Sequence, residues 1–153
     1  MRGRPMLNVM LVNKEITVES RAGAAVPLAV FDLSRAQTQA VTDALVFYHR
    51  RRFASAELDA DCALAMYAVA AVSDQLAPLA AANGHSTPRL DETGVGILAQ
   101  AVSLYLAERD VEDYLPPEER DRLDLLRPLG EPLLDLAVEL REAGLRLAAS
   151  GCR

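Results

Sequence analysis

A chain of 153 residues, 51% hydrophobic and 25% charged with a net charge of −6, has the composition of a folded domain and not of a disordered or disulfide-stapled one. Its charges are segregated: eight basic residues stand against four acidic ones before Glu57, a net of +4, and eight against eighteen from there on, a net of −10. Such a split lets the two halves attract each other or offers opposite faces to partners, while a pI near 4.9 argues against the basic surface of a nucleic-acid-binding domain.

The first element expected is a strand over Leu7 to Val12. Arg2 and Arg4 ahead of it imitate a signal peptide, but Asn8 interrupts the apolar stretch and Asn13-Lys14-Glu15 replaces a small-residue cleavage site. Ile16 and Val18 alternate with Glu15, Thr17 and Glu19, the period of a strand with one wet face, so Asn13-Lys14 is read as the hairpin turn between two strands. Val26 to Phe31 adds a third, with Pro27 near its start, where an edge tolerates the missing N–H. So small a sheet does not stand alone and needs helices over its apolar face.

Ser34 and Gln37 match a capping box opening a helix with the stripe Val41, Ala44, Leu45 and Tyr48, which ends in His49-Arg50-Arg51-Arg52. A second helix starts at Ser55 and carries Leu58, Cys62, Ala65, Met66, Val69, Val72 and Leu76 until Pro78, with Asn83-Gly84 as the stop. Thr87 is expected to cap a third helix with Pro88 at its first position and Val95, Leu98, Val102, Tyr105 and Leu106 on its buried face. Gly94 and Gly96 weaken its first turns or mark close helix contact. Pro116-Pro117 opens a short charged helix to Leu126. Pro128, Gly130 and Pro132 then separate it, as in a helix-turn-helix hairpin, from a final helix over about Pro132 to Ala149.

The longest uninterrupted apolar run, Cys62 to Val72, has eleven residues, short of the ~20 that cross a bilayer, so no membrane association is expected. Cys62 and Cys152 stand in unlike contexts and read as free thiols in a reducing cytoplasm. Fifteen of the sixteen basic residues are Arg, as in a chain encoded by a GC-rich genome.

No residue pattern assigns a reaction. His49 and His85 lack metal or triad spacing. Glu57, Asp59 and Asp61 alternate like the first ligands of a calcium loop, but Cys62 and Ala68 stand where that loop needs Gly and a bidentate Glu; the helix macrodipole explains those acids. Cys62 lies on an apolar stripe, the setting of an inert structural thiol. No metal and no cofactor is expected.

The sharpest local feature is the basic helix end, where Arg50, Arg51 and Arg52, with Tyr48 and His49 beside them, form a candidate grip for a phosphate- or carboxylate-bearing ligand. Leu126, Leu133, Leu140 and Leu147 recur every seven residues with Leu129 and Leu136 between, so Leu133, Leu136, Leu140 and Leu147 are candidate interface residues of a seam with another chain, and Gly144 would permit close approach.

The chain is therefore expected to be one α+β, mainly α domain: a β-rich start over residues 6–31, with two or three antiparallel strands, packed on four or five helices over 34–149. The function expected is that of a non-enzymatic interaction or regulatory protein. It would form a homo-oligomer, a dimer, or bind another protein, through its leucine-rich helices or an exposed β edge. The alternative is a binding protein or enzyme for a small anion at Arg50 to Arg52. Direct DNA or RNA binding ranks third, since it needs a continuous basic face.

Overall fold

The computed structural model describes residues 11–53, 60–81, 87–109 and 114–151. The fold is α+β with helices dominating. Its antiparallel sheet has the order β1 (Val12–Arg21), β2 (Ala24–Asp32), β3 (Arg89–Leu90). The helices among the described residues are α1 (Arg35–Phe53), α2 (Ala60–Ala81), α3 (Glu92–Arg109), α4 (Pro117–Leu126) and α5 (Gly130–Gly151), with a 3-10 turn at Arg127–Leu129. Several expected features lie outside the described residues: the strand segment 7–10, the helix start at Ser55, Glu57, Leu58, Asp59, the Asn83-Gly84 stop, His85, Cys152, and the side chains of Asp61 and Cys62.

The sheet corrects the expected strand boundaries. Asn13 adopts φ 53° and the register slips between Val12 and Glu15, so Asn13-Lys14 is a bulge within one long strand and not a turn between two. The turn is Ala22-Gly23, with φ 52° and 81°, closed by the pair Arg21 and Ala24. Positive φ at both central residues defines the type I′ turn, whose twist suits a two-residue hairpin. Val26 to Phe31 thus belongs to the second strand, and the third is Arg89–Leu90, brought beside Ala29 and Val30 from 55 or more residues away in the chain.

In such a hairpin the residues flanking the turn exchange backbone hydrogen bonds, and the pairs alternate from there. Arg21, Glu19, Thr17 and Glu15 therefore turn their backbone groups toward β2, while those of Ser20, Val18 and Ile16 point away from it. Pro27 agrees with this phase. It stands opposite Val18, at a position that donates nothing to β1, so its missing N–H breaks no bond there.

The capping box forms as expected. Gln37 N–H donates to Ser34 Oγ at 3.1 Å, and Ser34 N–H donates to Gln37 Oε1 at 2.9 Å. Val41, Ala44, Leu45 and Tyr48 are all buried on α1. Helix α2 does not stop at Pro78 but continues to Ala81. A proline in the last turn forfeits one backbone bond, and the exposed site lets water take the freed carbonyl.

Helix α3 begins later than Thr87-Pro88 suggests, because Arg89 and Leu90 are spent on strand pairing. Asp91 is the cap: its Oδ1 accepts from Gly94 N–H at 2.9 Å and its carbonyl from Val95 N–H at 2.9 Å. Gly94 marks a close contact, since a Cβ there would stand 3.2 Å from Leu90 Cδ2, whereas Gly96 faces open space. Helix α5 opens at Gly130, two residues before Pro132, whose lack of an N–H costs nothing in a first turn. Helices α4 and α5 do not form a packed hairpin. Helix α4 packs mainly on α1, and α5 on α3 and β2.

A continuous apolar cluster joins Ala29 and Phe31 of β2, Leu90 of β3, the inner faces of α1, α2 and α3, and Leu123, Leu126, Leu133, Leu136 and Leu140. Each fully buried leucine contributes about 1.5–3 kcal/mol relative to exposure. Among the described residues, ion pairs tie basic groups of the N-terminal half to acids of the remainder: Lys14 to Glu139 at 2.8 Å, Arg51 to Glu108, and Arg21 to Asp91 at 3.9 Å. The segregated charge is thus partly satisfied within the chain. Among the described residues no helix is long and apolar enough to cross a membrane.

Candidate functional site

The basic end of α1 is divided between two grooves. Tyr48, Arg51 and Arg52, at helical spacings of three and four, line an open groove of about 670 Å³ with Gln100, Ser103, Leu104, Glu108 and Leu134. The Tyr48 hydroxyl donates to Gln100 Oε1 at 2.7 Å. Arg51 Nε donates to Glu108 Oε2 at 3.1 Å, and a second nitrogen of the same guanidinium contacts the other carboxylate oxygen. The hydrogen bonds and the charge of Glu108 raise the Arg51 pKa above its ordinary value.

His49 lies elsewhere, beside an apolar groove of about 330 Å³ formed with Ala63, Met66, Tyr67 and Ala70 of α2. Its ring meets Phe53 edge-on at 5.1 Å. Arg52 stacks its guanidinium 5.6 Å from the centre of the Phe53 ring, and Arg50 is exposed. The five candidate ligand residues therefore do not converge on one pocket. The groove that takes three of them already holds a carboxylate that answers Arg51.

The leucine seam resolves differently from its sequence reading. Leu133, Leu136 and Leu140 are fully buried in the chain's own core, so they are not available to a second chain; Leu147 is half-buried. Gly144 serves the sheet: a Cβ there would stand 3.9 Å from Pro27 Cγ. What α5 presents outward is Leu134, Val138 and Leu145. Helix α2 likewise exposes Leu64 and Tyr67, 68% and 75% accessible, on a stretch without charge.

The feature with the most defined geometry is the free edge of β1. Among the described residues this strand is at the end of the sheet and no strand pairs with the outward backbone groups of Ile16, Val18 and Ser20, which form a row along it. Val18 is 58% exposed and Ile16 36%. The alternate residues carry charge: Glu15, which makes no ion pair among the described residues, then Glu19 and Arg21. Glu19 accepts from Arg21 Nε at 3.1 Å and from Arg89 at 2.8 Å. The hydrogen bond from Arg21 is the chief cause of a Glu19 pKa below the ordinary carboxylate value.

Sequence reasoning anticipated a β edge without its residues. The signal that finds them is Ala22-Gly23, because a two-residue turn fixes which backbone groups face outward. Among the described residues, no group of three or more His, Cys, Asp and Glu side chains is placed to hold a metal ion. In comparisons with known proteins, no family model, no curated protein and no solved structure matches the chain.

Proposed function

We propose that this chain is a non-enzymatic interaction protein that associates with itself, and that it does so by strand addition at β1. One observation carries the reading: among the described residues a long strand ends the sheet, its outward backbone row unpaired and flanked by exposed Val18 and Ile16. Main-chain hydrogen bonds give such an edge affinity, and the side chains beside them give it selectivity. The candidate seam of Leu133, Leu136 and Leu140 has no part in this reading, since those residues fill the core.

The alternative, a small anion held at Arg50 to Arg52, has less support, because Arg51 is engaged by Glu108 and His49 faces another groove.

Sedimentation of the purified chain over a range of concentrations tests the proposal, alongside Val18→Pro. That substitution removes an outward N–H without touching a bond to β2. The expected result is a wild-type oligomer and a folded, monomeric variant with unchanged circular dichroism. A wild-type chain that stays monomeric at every concentration overturns self-association, and a variant that assembles like the wild type overturns the role of the edge.

A further inference from the structure

Resting on the reading that β1 is a self-association edge, we infer that its occupant is β1 of a second copy, antiparallel, with the two-fold axis at Val18. The argument begins with the phase of the hairpin. Only Ile16, Val18, Ser20 and, toward the bulge, Lys14 direct backbone groups outward, so an incoming antiparallel strand must set even-numbered residues opposite even-numbered ones. Two copies of the same strand can then meet in few registers, each sliding by two residues.

Charge discriminates among them. With Ile16 opposite Val18, each Glu15 faces the second copy's Glu19 and two like-charge pairs result. With Val18 opposite Ser20, the two copies of Glu19 face each other. With Val18 opposite Val18, each Glu15 faces the second copy's Arg21, so two opposite-charge pairs form symmetrically about the axis and Glu19 meets Thr17. Directly opposed cross-strand charges favour or disfavour pairing by similar amounts. With Ile16 opposite Ile16, Glu15 faces Thr17 and gains no charge pair; with Ser20 opposite Ser20, Glu19 faces Arg21, but the strand ends at Arg21 and the overlap is too short to hold. The register at Val18 is the one that joins two opposite-charge pairs to a long overlap.

It also uses what the monomer leaves open. Glu15 makes no ion pair among the described residues, and Arg21, about half exposed, gives its Nε–H to Glu19 at 3.1 Å and approaches Asp91 only at 3.9 Å, so its guanidinium keeps donors for a further carboxylate. Val18, among the exposed apolar side chains of the sheet, comes to the middle of the joined ribbon opposite its symmetry mate, with Ile16 diagonal to it across the junction. The contact is isologous and closes on itself, giving a continuous six-stranded sheet with β3 at its two outer ends. The charges on β1 do not simply guard the edge against pairing; they admit one partner in one register.

The test is a pair of charge reversals in the full chain, Glu15→Arg and Arg21→Glu, followed by native mass spectrometry, which separates them by mass. Each variant alone places like charges opposite each other twice, and its dimer should weaken by about tenfold or more. Mixed one to one, the variants restore an opposite-charge pair at both sites, so a heterodimer should form where neither homodimer does. If the wild type is dimeric and Val18→Pro monomeric, but both reversals dimerise as the wild type does, the register is wrong while the edge stands. If the mixture stays monomeric, the pairing of Glu15 with Arg21 is overturned. A monomeric wild type removes the underlying reading itself.

Discussion

The phenol of Tyr105 on α3 donates a hydrogen bond to the carboxylate of Glu119 on α4, and Arg122 closes the group. Its guanidinium lies 3.1 Å from the Tyr105 hydroxyl, 2.6 Å from Glu119 and 3.0 Å from Asp43 of α1. Three helices are tied here by one set of polar side chains over an apolar floor. Glu119 is the most enclosed carboxylate of the set, with 13% side-chain exposure, so removing one partner leaves it poorly solvated.

Tyr105→Phe should therefore lower stability by about 1–2 kcal/mol in urea unfolding, the cost of leaving one oxygen of the enclosed Glu119 carboxylate without its donor while Arg122 holds the other. Burial, and next to it the bond to Glu119, raise the Tyr105 pKa above the ordinary value of 10.0. A raised pKa means that the folded chain keeps a proton the unfolded chain has lost. The contribution is thus complete below about pH 10 and is lost as pH rises through the folded value. The phenylalanine variant should show a shallower loss of stability in that alkaline range.

Leu140→Asp should abolish folding, because Leu140 is fully buried and a buried charge without a partner costs several kcal/mol. Leu145→Asp, on the outer side of the same helix, should leave the thermal midpoint within a few degrees of wild type. A folded Leu140→Asp monomer would instead return the leucine seam to an interface role.

Gly96→Ala should stabilise the chain by up to about 1 kcal/mol, since alanine is the better helix former and open space surrounds the new methyl group. Gly94→Ala should gain less or lose, because its Cβ would press on Leu90 at 3.2–3.3 Å. Thermal melts of the two variants side by side measure the difference.

Thr17→Val should raise stability by about 1 kcal/mol in urea unfolding. The Thr17 hydroxyl is buried with no hydrogen-bond partner among the described residues, and valine keeps its shape while removing the unsatisfied group. A loss of stability would mean that the hydroxyl has a partner in solution.

The helices were legible in the sequence where one local rule decided them. Ser34 and Gln37 announce the start of α1, and the stripes of α1 and α3 follow from spacing alone. The errors fall where two local rules compete or where a distant partner decides. Thr87-Pro88 and Asp91 are both acceptable helix starts, and pairing of Leu90 with Ala29, invisible in local sequence, selects the second. Asn13-Lys14 has turn chemistry, yet Asn tolerates positive φ equally well in a bulge, while Ala22 is a poor advertisement for the left-handed position it occupies. Leucine every seven residues describes a helix with one apolar face. Whether that face meets its own core or another chain depends on α3 and β2, which the repeat does not encode.

The placement of Gly144 over Pro27 bears on how the polypeptide matures. The apolar face of β2 is covered in part by α5, a segment about a hundred residues downstream, so a nascent chain emerging from a ribosome completes the hairpin well before its lid exists. Through that interval Phe31 and Ala29 await their final neighbours, and closure of so long a loop slows the last step. Pulse-labelling hydrogen exchange during refolding should find the amides of α1 protected ahead of those of β2.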